Sequence, residues 1–149
     1  MDCVTRLMLM PKNRRSTAEA PTSSCLLICD DVILSTAHRK HTLQGLIDSI
    51  SVPCLPVMVG PYMAYLRLSN VYNAQRIELA ICAADADVEV FRVEATSPRL
   101  SNPLQTHVLM IQIPPFEIKL PGRYIFSASH DGVPFAQSPL VITASETRA

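Results

Sequence analysis

The residues best suited to do chemistry are three aspartates on predicted core strands, Asp30, Asp31 and Asp48. Asp30 and Asp31 interrupt a buried apolar run, and Asp48 shares the alternation phase of Leu46 and Ile50, so its carboxylate is expected to lean inward. A buried carboxylate is costly unless it is paired or hydrogen-bonded. We therefore expect these carboxylates to accept backbone N–H bonds at bends and sheet edges, with a divalent metal or a partner's cationic group as the alternative.

A second acidic group, Asp85, Asp87 and Glu89, alternates across a predicted turn between two strands. Calcium binds about six to eight oxygen ligands, and three side chains do not supply them. We expect an exposed, hydrated turn here, with a calcium site as the alternative.

Histidines that could activate a nucleophile are scattered along the chain. His38 and His41 fall at a predicted loop tip, whereas His107 and His130 fall near strand ends. A pair assembled in space, such as Cys54 with a loop histidine, is the enzymatic alternative. The sequence contains no G-x-S-x-G elbow, P-loop, H-E-x-x-H motif or Gly-rich dinucleotide turn. We predict no enzyme, and no catalytic, cofactor-binding or metal-ligating residue.

Five cysteines form an odd set without a C-x-x-C pair, at positions 3, 25, 29, 54 and 82. Cys25 and Cys29 share a predicted strand, which puts their Cα atoms roughly 13 Å apart. This separation exceeds the limit of about 7 Å for a disulfide. We interpret the cysteines as small buried hydrophobes of a reducing compartment, with a zinc or redox role as the alternative.

The clearest structural pattern is a hairpin over Leu120–Thr143. Pro121-Gly122 predicts a turn, and residues 124–129 then alternate between apolar and polar side chains as in a half-buried strand. Asp131-Gly132 predicts a tight turn, since both residues tolerate positive φ. The second strand, residues 135–143, should therefore lie antiparallel to the first.

Tyr124 stands at the start of this late strand, two residues after Gly122. In immunoglobulin-like domains a tyrosine at such a position forms a tyrosine corner, with its hydroxyl bonded to upstream backbone. The alternative is an aromatic core residue with its hydroxyl at the rim. Either interpretation makes Tyr124 a structural residue.

Short alternating or apolar runs predict six more strands, with Pro, Asn, Ser and Asp in the connections. The alternation slips near Val90-Phe91, and Gly45 is interpreted as a bulge. The prolines of residues 53–61 predict a crossing connection without a central strand. The predicted strands are 25–34, 43–52, 62–68, 76–82, 88–95 and 107–113. With the final hairpin they predict an all-β, immunoglobulin-like antiparallel β-sandwich of about eight strands.

We expect the chain to divide into a flexible basic N-terminal arm (1–24), a β-sandwich domain (25–144) and a C-terminal tail (145–149). With 149 residues it fits one domain, and its 13 basic and 13 acidic residues cancel, which argues against nucleic-acid binding.

No apolar run approaches the roughly 20 residues that span a bilayer, and residues 7–10 are too short for a signal peptide. We expect a cytoplasmic protein that does not bind membranes.

Four segments are the most distinctive for comparison with known families, namely Asp30-Asp31, Gly45, Pro53 with Leu55-Pro56, and the run Pro121 to Tyr124. On these segments, residues 25–144 resemble a bacterial domain-of-unknown-function family catalogued as six-nine-four-one. The resemblance implies a stand-alone β-sandwich and assigns no activity, cofactor, substrate or functional residue. The chain departs from the family pattern at the hairpin tip, where Arg39-Lys40 replaces a Gly-Lys pair.

The sequence does not determine a function, and it favours a non-catalytic protein-binding or scaffold module. Such a module would contact another protein or a second copy through a sheet edge. Apolar residues at the solvent-facing positions of the predicted strands support this interpretation, namely Val108, Met110, Ile125 and Val141. The alternative is a small-molecule or carbohydrate binder, or a hydrolase, that uses the end loops around residues 39–41 and 85–87.

Overall fold

The computed structural model describes residues 21–35, 37, 40–71, 75–97, 102 and 105–145. This part of the chain is all-β, contains no helix and forms twelve strands. The strands are β1 Thr22–Cys29, β2 Asp31–Ser35, β3 Lys40–Gln44, β4 Ser49–Val52, β5 Val57–Val59, β6 Tyr62–Ser69, β7 Arg76–Ala83, β8 Val88–Thr96, β9 His107–Ile113, β10 Phe116–Ile118, β11 Gly122–His130 and β12 Val133–Ala144. Among these residues no helix could cross a membrane.

Two larger sheets and two hairpin-sized sheets make up the fold. The larger sheets have the strand orders β4-β12-β11-β7-β8 and β1-β6-β9, and the small sheets are β5-β10 and β2-β3. All strand pairs are antiparallel except β4 with β12, which is parallel. The prediction of a purely antiparallel arrangement is therefore wrong at β4, because β4 runs beside the last strand in the same direction.

One hydrophobic cluster joins the inner faces of the two larger sheets. In β11, Tyr124, Phe126 and Ala128 point inward, as the alternation predicts. The other members include Ile28, Ala64, Leu66, Leu68, Ile77, Leu79, Ile81, Ile111, Ile113, Leu140 and Ile142, all at most 4% exposed. Burial of this apolar surface is the main favourable contribution to folding.

The predicted final hairpin is confirmed. β11 pairs with β12 from Gly122 opposite Ile142 to His130 opposite Val133. Asp131 and Gly132 form the turn, with φ of 50° and 78°. Positive φ at both positions is what a two-residue turn of type I′ requires.

Twelve strands replace the eight that were predicted, because bends divide two of the predicted strands. The predicted strand 25–34 breaks at Asp30 into β1 and β2, and the predicted strand 43–52 bends at residues 45–48 between β3 and β4. β1 also begins at Thr22, inside the segment assigned to the arm. The other two additional strands are β5, within the predicted crossing connection, and β10, directly after Pro114-Pro115.

Gly45 lies in the bend between β3 and β4, where it closely approaches Asp30, and it is not a ladder bulge. A Cβ added there would lie 2.2 Å from the Asp30 Oδ2, and the φ of Gly45 is +67°. The Asp30 N–H donates to the carbonyls of Gln44 and Gly45, at 2.9 and 3.2 Å. Only glycine combines this backbone conformation with this approach to the Asp30 carboxylate.

Candidate binding cleft

An apolar cleft of about 530 Å³ lies between β8, the β5-β10 sheet and the segment that precedes β11. Its lining contains no His, Cys or Ser side chain. The lining residues are Met58, Ala83, Ala86, Val88, Glu89, Val90, Phe91, Pro115, Phe116, Glu117, Lys119, Leu120 and Tyr124. The cleft therefore offers mainly apolar contact, and Glu89, Glu117 and Lys119 are its charged side chains.

A β-bulge in β8 turns three apolar side chains towards the cleft. Glu89 pairs with Cys82 and Phe91 pairs with Ile81, so Val90 is the additional residue on β8. Strict alternation would put Val90 and Phe91 on opposite faces, but the bulge lets Val88, Val90 and Phe91 all line the cleft. The slip predicted near Val90-Phe91 is confirmed.

β10 supplies the aromatic wall of the cleft. The rings of Phe91 and Phe116 are stacked, with centroids 6.0 Å apart and an interplanar angle of 19°. Tyr62 contacts Phe116 edge to face at 6.3 Å. β10 pairs with β5 through Phe116 opposite Val59 and Glu117 opposite Met58, and this brings Met58 to the mouth of the cleft.

Tyr124 lines the cleft and stabilises the segment that carries Leu120. Its buried hydroxyl donates to the Leu120 carbonyl at 2.5 Å, which is the bond of a tyrosine corner. Burial raises the pKa of Tyr124, although the bond to the Leu120 backbone acts in the opposite direction. The phenol therefore stays protonated at neutral pH and acts as a structural donor.

The charges at the rim are compensated by neighbours. Arg92 donates through Nε and Nη2 to the Glu89 Oε1, at 2.8 and 2.5 Å, and also bonds Glu78. Lys119 lies 3.8 Å from Glu117. Because each rim carboxylate has a cationic neighbour, the mouth of the cleft presents little net charge.

The predicted aspartate sites do not converge on this cleft. The Asp31 Oδ1 accepts the Val32 N–H at 2.8 Å. The exposed Asp30 carboxylate lies against Gly45, at the break between β1 and β2. The prediction that Asp48 leans inward is wrong, because Asp48 is exposed on the bend between β3 and β4. The bend shifts the phase, so Ile47 is half-buried and Leu46 is 59% exposed.

The described histidines serve separate structural roles. The His41 Nδ1 and the Tyr65 hydroxyl share a hydrogen bond of 2.8 Å that links the β2-β3 hairpin to β6. The His130 Nδ1 donates to the Arg76 carbonyl at 3.1 Å, and its Nε2 lies 3.4 Å from the Asp131 Oδ2. His38 and Arg39 lie outside the described residues.

The cysteines and the acidic turn likewise stay apart. Among the described residues, Cys29 is buried, Cys25 half-buried and Cys54 exposed. The prediction of small buried cysteines in a reducing compartment therefore fails at Cys54, which is exposed, and at Cys82, which is buried but disulfide-bonded. At the acidic turn, Glu89 is bound by Arg92. Within the described part of the chain, no group of three or more His, Cys, Asp and Glu side chains could hold a metal ion.

The cleft itself was not predicted from the sequence. Phe116 and Ile118 alternate after Pro114-Pro115, and this short pattern is the signal that could have indicated β10. The only sequence signal at Phe91 is the slip in the alternation of apolar and polar residues. Met58 and Leu120 carry no local signal, because their exposure depends on strands that are distant in the sequence.

Comparison with protein families matches residues 24–143 to a family of unknown function (DUF6941). The chain belongs to this family. The resemblance seen in the sequence is confirmed, and the matched segment spans the described strands from β1 nearly to the end of β12. No curated protein matches the chain.

Proposed function

We propose that this member of the family is a non-catalytic protein-binding module whose cleft between β8 and β10 takes up an uncharged apolar segment of a partner protein. The partner contributes one or two apolar side chains that fill the space beside the stacked rings of Phe91 and Phe116. Recognition then rests on apolar burial and shape, in keeping with the apolar lining.

The clustering of exposed apolar side chains carries this proposal. The described residues include eight large hydrophobic side chains that are exposed, and three of them stand around this one cleft. They are Met58, Val88 and Leu120, which are 59%, 55% and 67% exposed. Contiguous exposed apolar surface marks protein contacts, because a partner gains free energy by covering it.

The charges around the cleft indicate the chemistry of the segment. Glu89 is paired with Arg92, and Glu117 lies beside Lys119, so neither carboxylate requires a cation from the partner. A charged side chain would lose hydration in the cleft without gaining a partner. The bound segment is therefore uncharged where it enters the cleft.

A small apolar molecule is the second candidate occupant. The volume of about 530 Å³ lies within the range of small-molecule sites. A small ligand inside the cleft would leave the exposed side chains at the mouth uncovered, whereas a protein surface would cover them. Of the two end loops in the alternative prediction, residues 85–87 border the cleft through Ala86, whereas His41 of the other loop bonds Tyr65.

Selection of random peptides displayed on phage, followed by fluorescence anisotropy with the selected synthetic peptides, tests the proposal on the full chain. We expect apolar peptides to be selected and Val88→Lys to raise their dissociation constant at least about tenfold, which corresponds to 1.4 kcal/mol. This variant should fold normally, since Val88 is exposed.

Val141→Lys is the matched control, because Val141 is also an exposed strand valine but lies on β12 outside the cleft. Its affinity for the selected peptides should equal that of the wild type. Equal weakening by both variants, or a selection that yields no binding peptide, would contradict the proposal. Binding only of the apolar dye 8-anilinonaphthalene-1-sulfonate, displaced by no peptide, would favour the small-molecule alternative.

The finer assignments belong to the same proposal. An immunoglobulin-like arrangement of the larger sheets is supported by the tyrosine corner of Tyr124 and by the single core between the two sheets. An experimental structure would test the arrangement through its strand connections. The resemblance supports a bacterial protein, and the proposed cytoplasmic location is tested by fractionation of cells that produce the full chain.

A further inference from the structure

Three of the four outer strands of the larger sheets are short, charged or already in contact with other backbone. β4 has only four residues, and β8 carries the bulge at Val90 together with charged side chains. On β1, the Ile28 carbonyl accepts the Ile47 N–H at 2.9 Å, so the bend between β3 and β4 contacts that strand. Such features hinder the addition of another strand.

Among the described residues, the fourth outer strand, β9, shows none of these features. Its seven residues, HVLMIQI, contain no proline and no Asp, Glu, Lys or Arg. β9 pairs with β6 from Ile113 opposite Tyr62 to His107 opposite Leu68, without a register shift. In the described part of the structure, β6 is the one strand that pairs with β9. A regular apolar edge of this kind is a template for another strand.

Both faces of β9 are suited to apolar contact. Ile111 and Ile113 are buried on the inner face, and Val108 and Met110 are apolar side chains on the outer face. Met110 is 39% exposed at the centre of the strand. Burial lowers the pKa of His107, so the imidazole is neutral at physiological pH and adds no charge to this edge.

We propose that β9 is a self-association edge, which pairs antiparallel with β9 of a second copy about a two-fold axis through Met110. Met110 then lies opposite Met110 of the partner subunit, and Val108 lies opposite the partner's Gln112. The two three-stranded sheets become one continuous six-stranded sheet. This surface is distinct from the cleft, and its function does not depend on peptide binding there.

A second copy is the occupant that the charge pattern favours. Pairing β9 with itself places no like charges opposite one another, because the strand has no charged residue at neutral pH. The formal net charge of the chain is zero, so two copies do not repel one another. A two-fold antiparallel pair is also a closed contact, which ends at the dimer.

Sedimentation velocity of the full chain over a range of concentrations tests the pairing. We expect a concentration-dependent species with twice the 16.4 kDa of one chain. Met110→Lys and Met110→Glu should each raise the dimer dissociation constant at least tenfold, because like charges meet at the two-fold axis. An equimolar mixture of the two variants should recover the dimer, because Lys then faces Glu.

Val141→Lys is the matched control, since Val141 is an exposed apolar strand residue on β12, outside both β9 and the cleft, and should leave the dimer unchanged. Circular dichroism verifies that each variant is folded. A wild-type chain that stays monomeric at all concentrations would overturn the proposal, as would a dimer that both charged variants leave intact. A mixture of the two variants that fails to associate would overturn the proposed register.

Discussion

The strands β8 and β9 are both outer strands of the larger sheets, but their side chains differ. β8 carries Arg92, which binds Glu89 and Glu78, and its regular pairing is interrupted at Val90. β9 pairs regularly and bears no charge at neutral pH. Charges and a bulge hinder strand addition, and this difference supports the proposals of backbone pairing at β9 and of side-chain recognition in the cleft beside β8.

The two proposed contacts would lie on separate parts of the fold. The bulge that disturbs the β8 edge is also the feature that turns Val88, Val90 and Phe91 into the cleft. The regular alternation of β9 instead leaves its edge uniform. Local backbone irregularity therefore distinguishes the two surfaces as much as their side chains do.

Truncation of the aromatic wall should have the largest effect on stability. Phe116 is 4% exposed and contacts both Phe91 and Tyr62. Phe116→Ala should lower the free energy of unfolding by about 3–5 kcal/mol, because it leaves a cavity in a packed region. Met110→Ala on β9 should change it much less. Urea denaturation measures the free energy of unfolding of both variants. Equal decreases for Phe116→Ala and Met110→Ala would contradict the difference between the two regions.

Removal of the Tyr124 hydroxyl should have a smaller effect that is confined to the cleft. Tyr124→Phe loses the bond to the Leu120 carbonyl and should lower the free energy of unfolding by about 0.5–1.5 kcal/mol. Hydrogen exchange should accelerate around residues 119–121 and remain unchanged in β9. An unchanged unfolding curve and exchange pattern would show that the tyrosine corner contributes nothing to the cleft.

Loss of the charge network on β8 should have a still smaller effect on the free energy of unfolding. Arg92→Met removes the contacts to Glu89 and Glu78, and partly exposed ion pairs contribute only about 0.2–1 kcal/mol. The difference from the wild type should shrink in high salt, which screens the pairs. Thermal unfolding at low and high salt measures it. A larger loss that is independent of salt would mean that Arg92 acts through packing.

The acid sensitivity of β9 should be the smallest effect. The folded state lowers the pKa of His107 from its ordinary value of 6.5, so the unfolded chain takes up the proton first. The stability due to neutral His107 is therefore complete above pH 6.5 and is lost as the pH falls towards the folded-state pKa. The melting temperature of His107→Gln should therefore fall less steeply than that of the wild type as the pH drops below 6.5. Equal slopes of melting temperature against pH for the two proteins would contradict this prediction.

Features with a local cause could be predicted from the sequence. The turn at Asp131-Gly132 depends on the φ preferences of two adjacent residues, and the slip at Val90-Phe91 is visible in the alternation itself. The all-β class follows from the same patterns. The sequence allows two positions for the Tyr124 hydroxyl, because its partner depends on the path of the chain before β11.

Features that depend on distant pairing could not be predicted. β5 and β10 form a sheet across more than fifty residues of sequence, and each is a three-residue strand beside prolines. Asp48 was assigned to the wrong face because one bend at residues 45–48 shifts the phase. The cleft depends on β10, so its position could be recognised only from the fold.

Hydrogen–deuterium exchange of the full chain at low and high protein concentration tests the contrast between the two edges most directly. Amide exchange in residues 107–113 should slow as the concentration rises, while exchange in residues 88–96 should stay constant. Exchange in β9 that does not depend on concentration would contradict the account, as would equal slowing of β8.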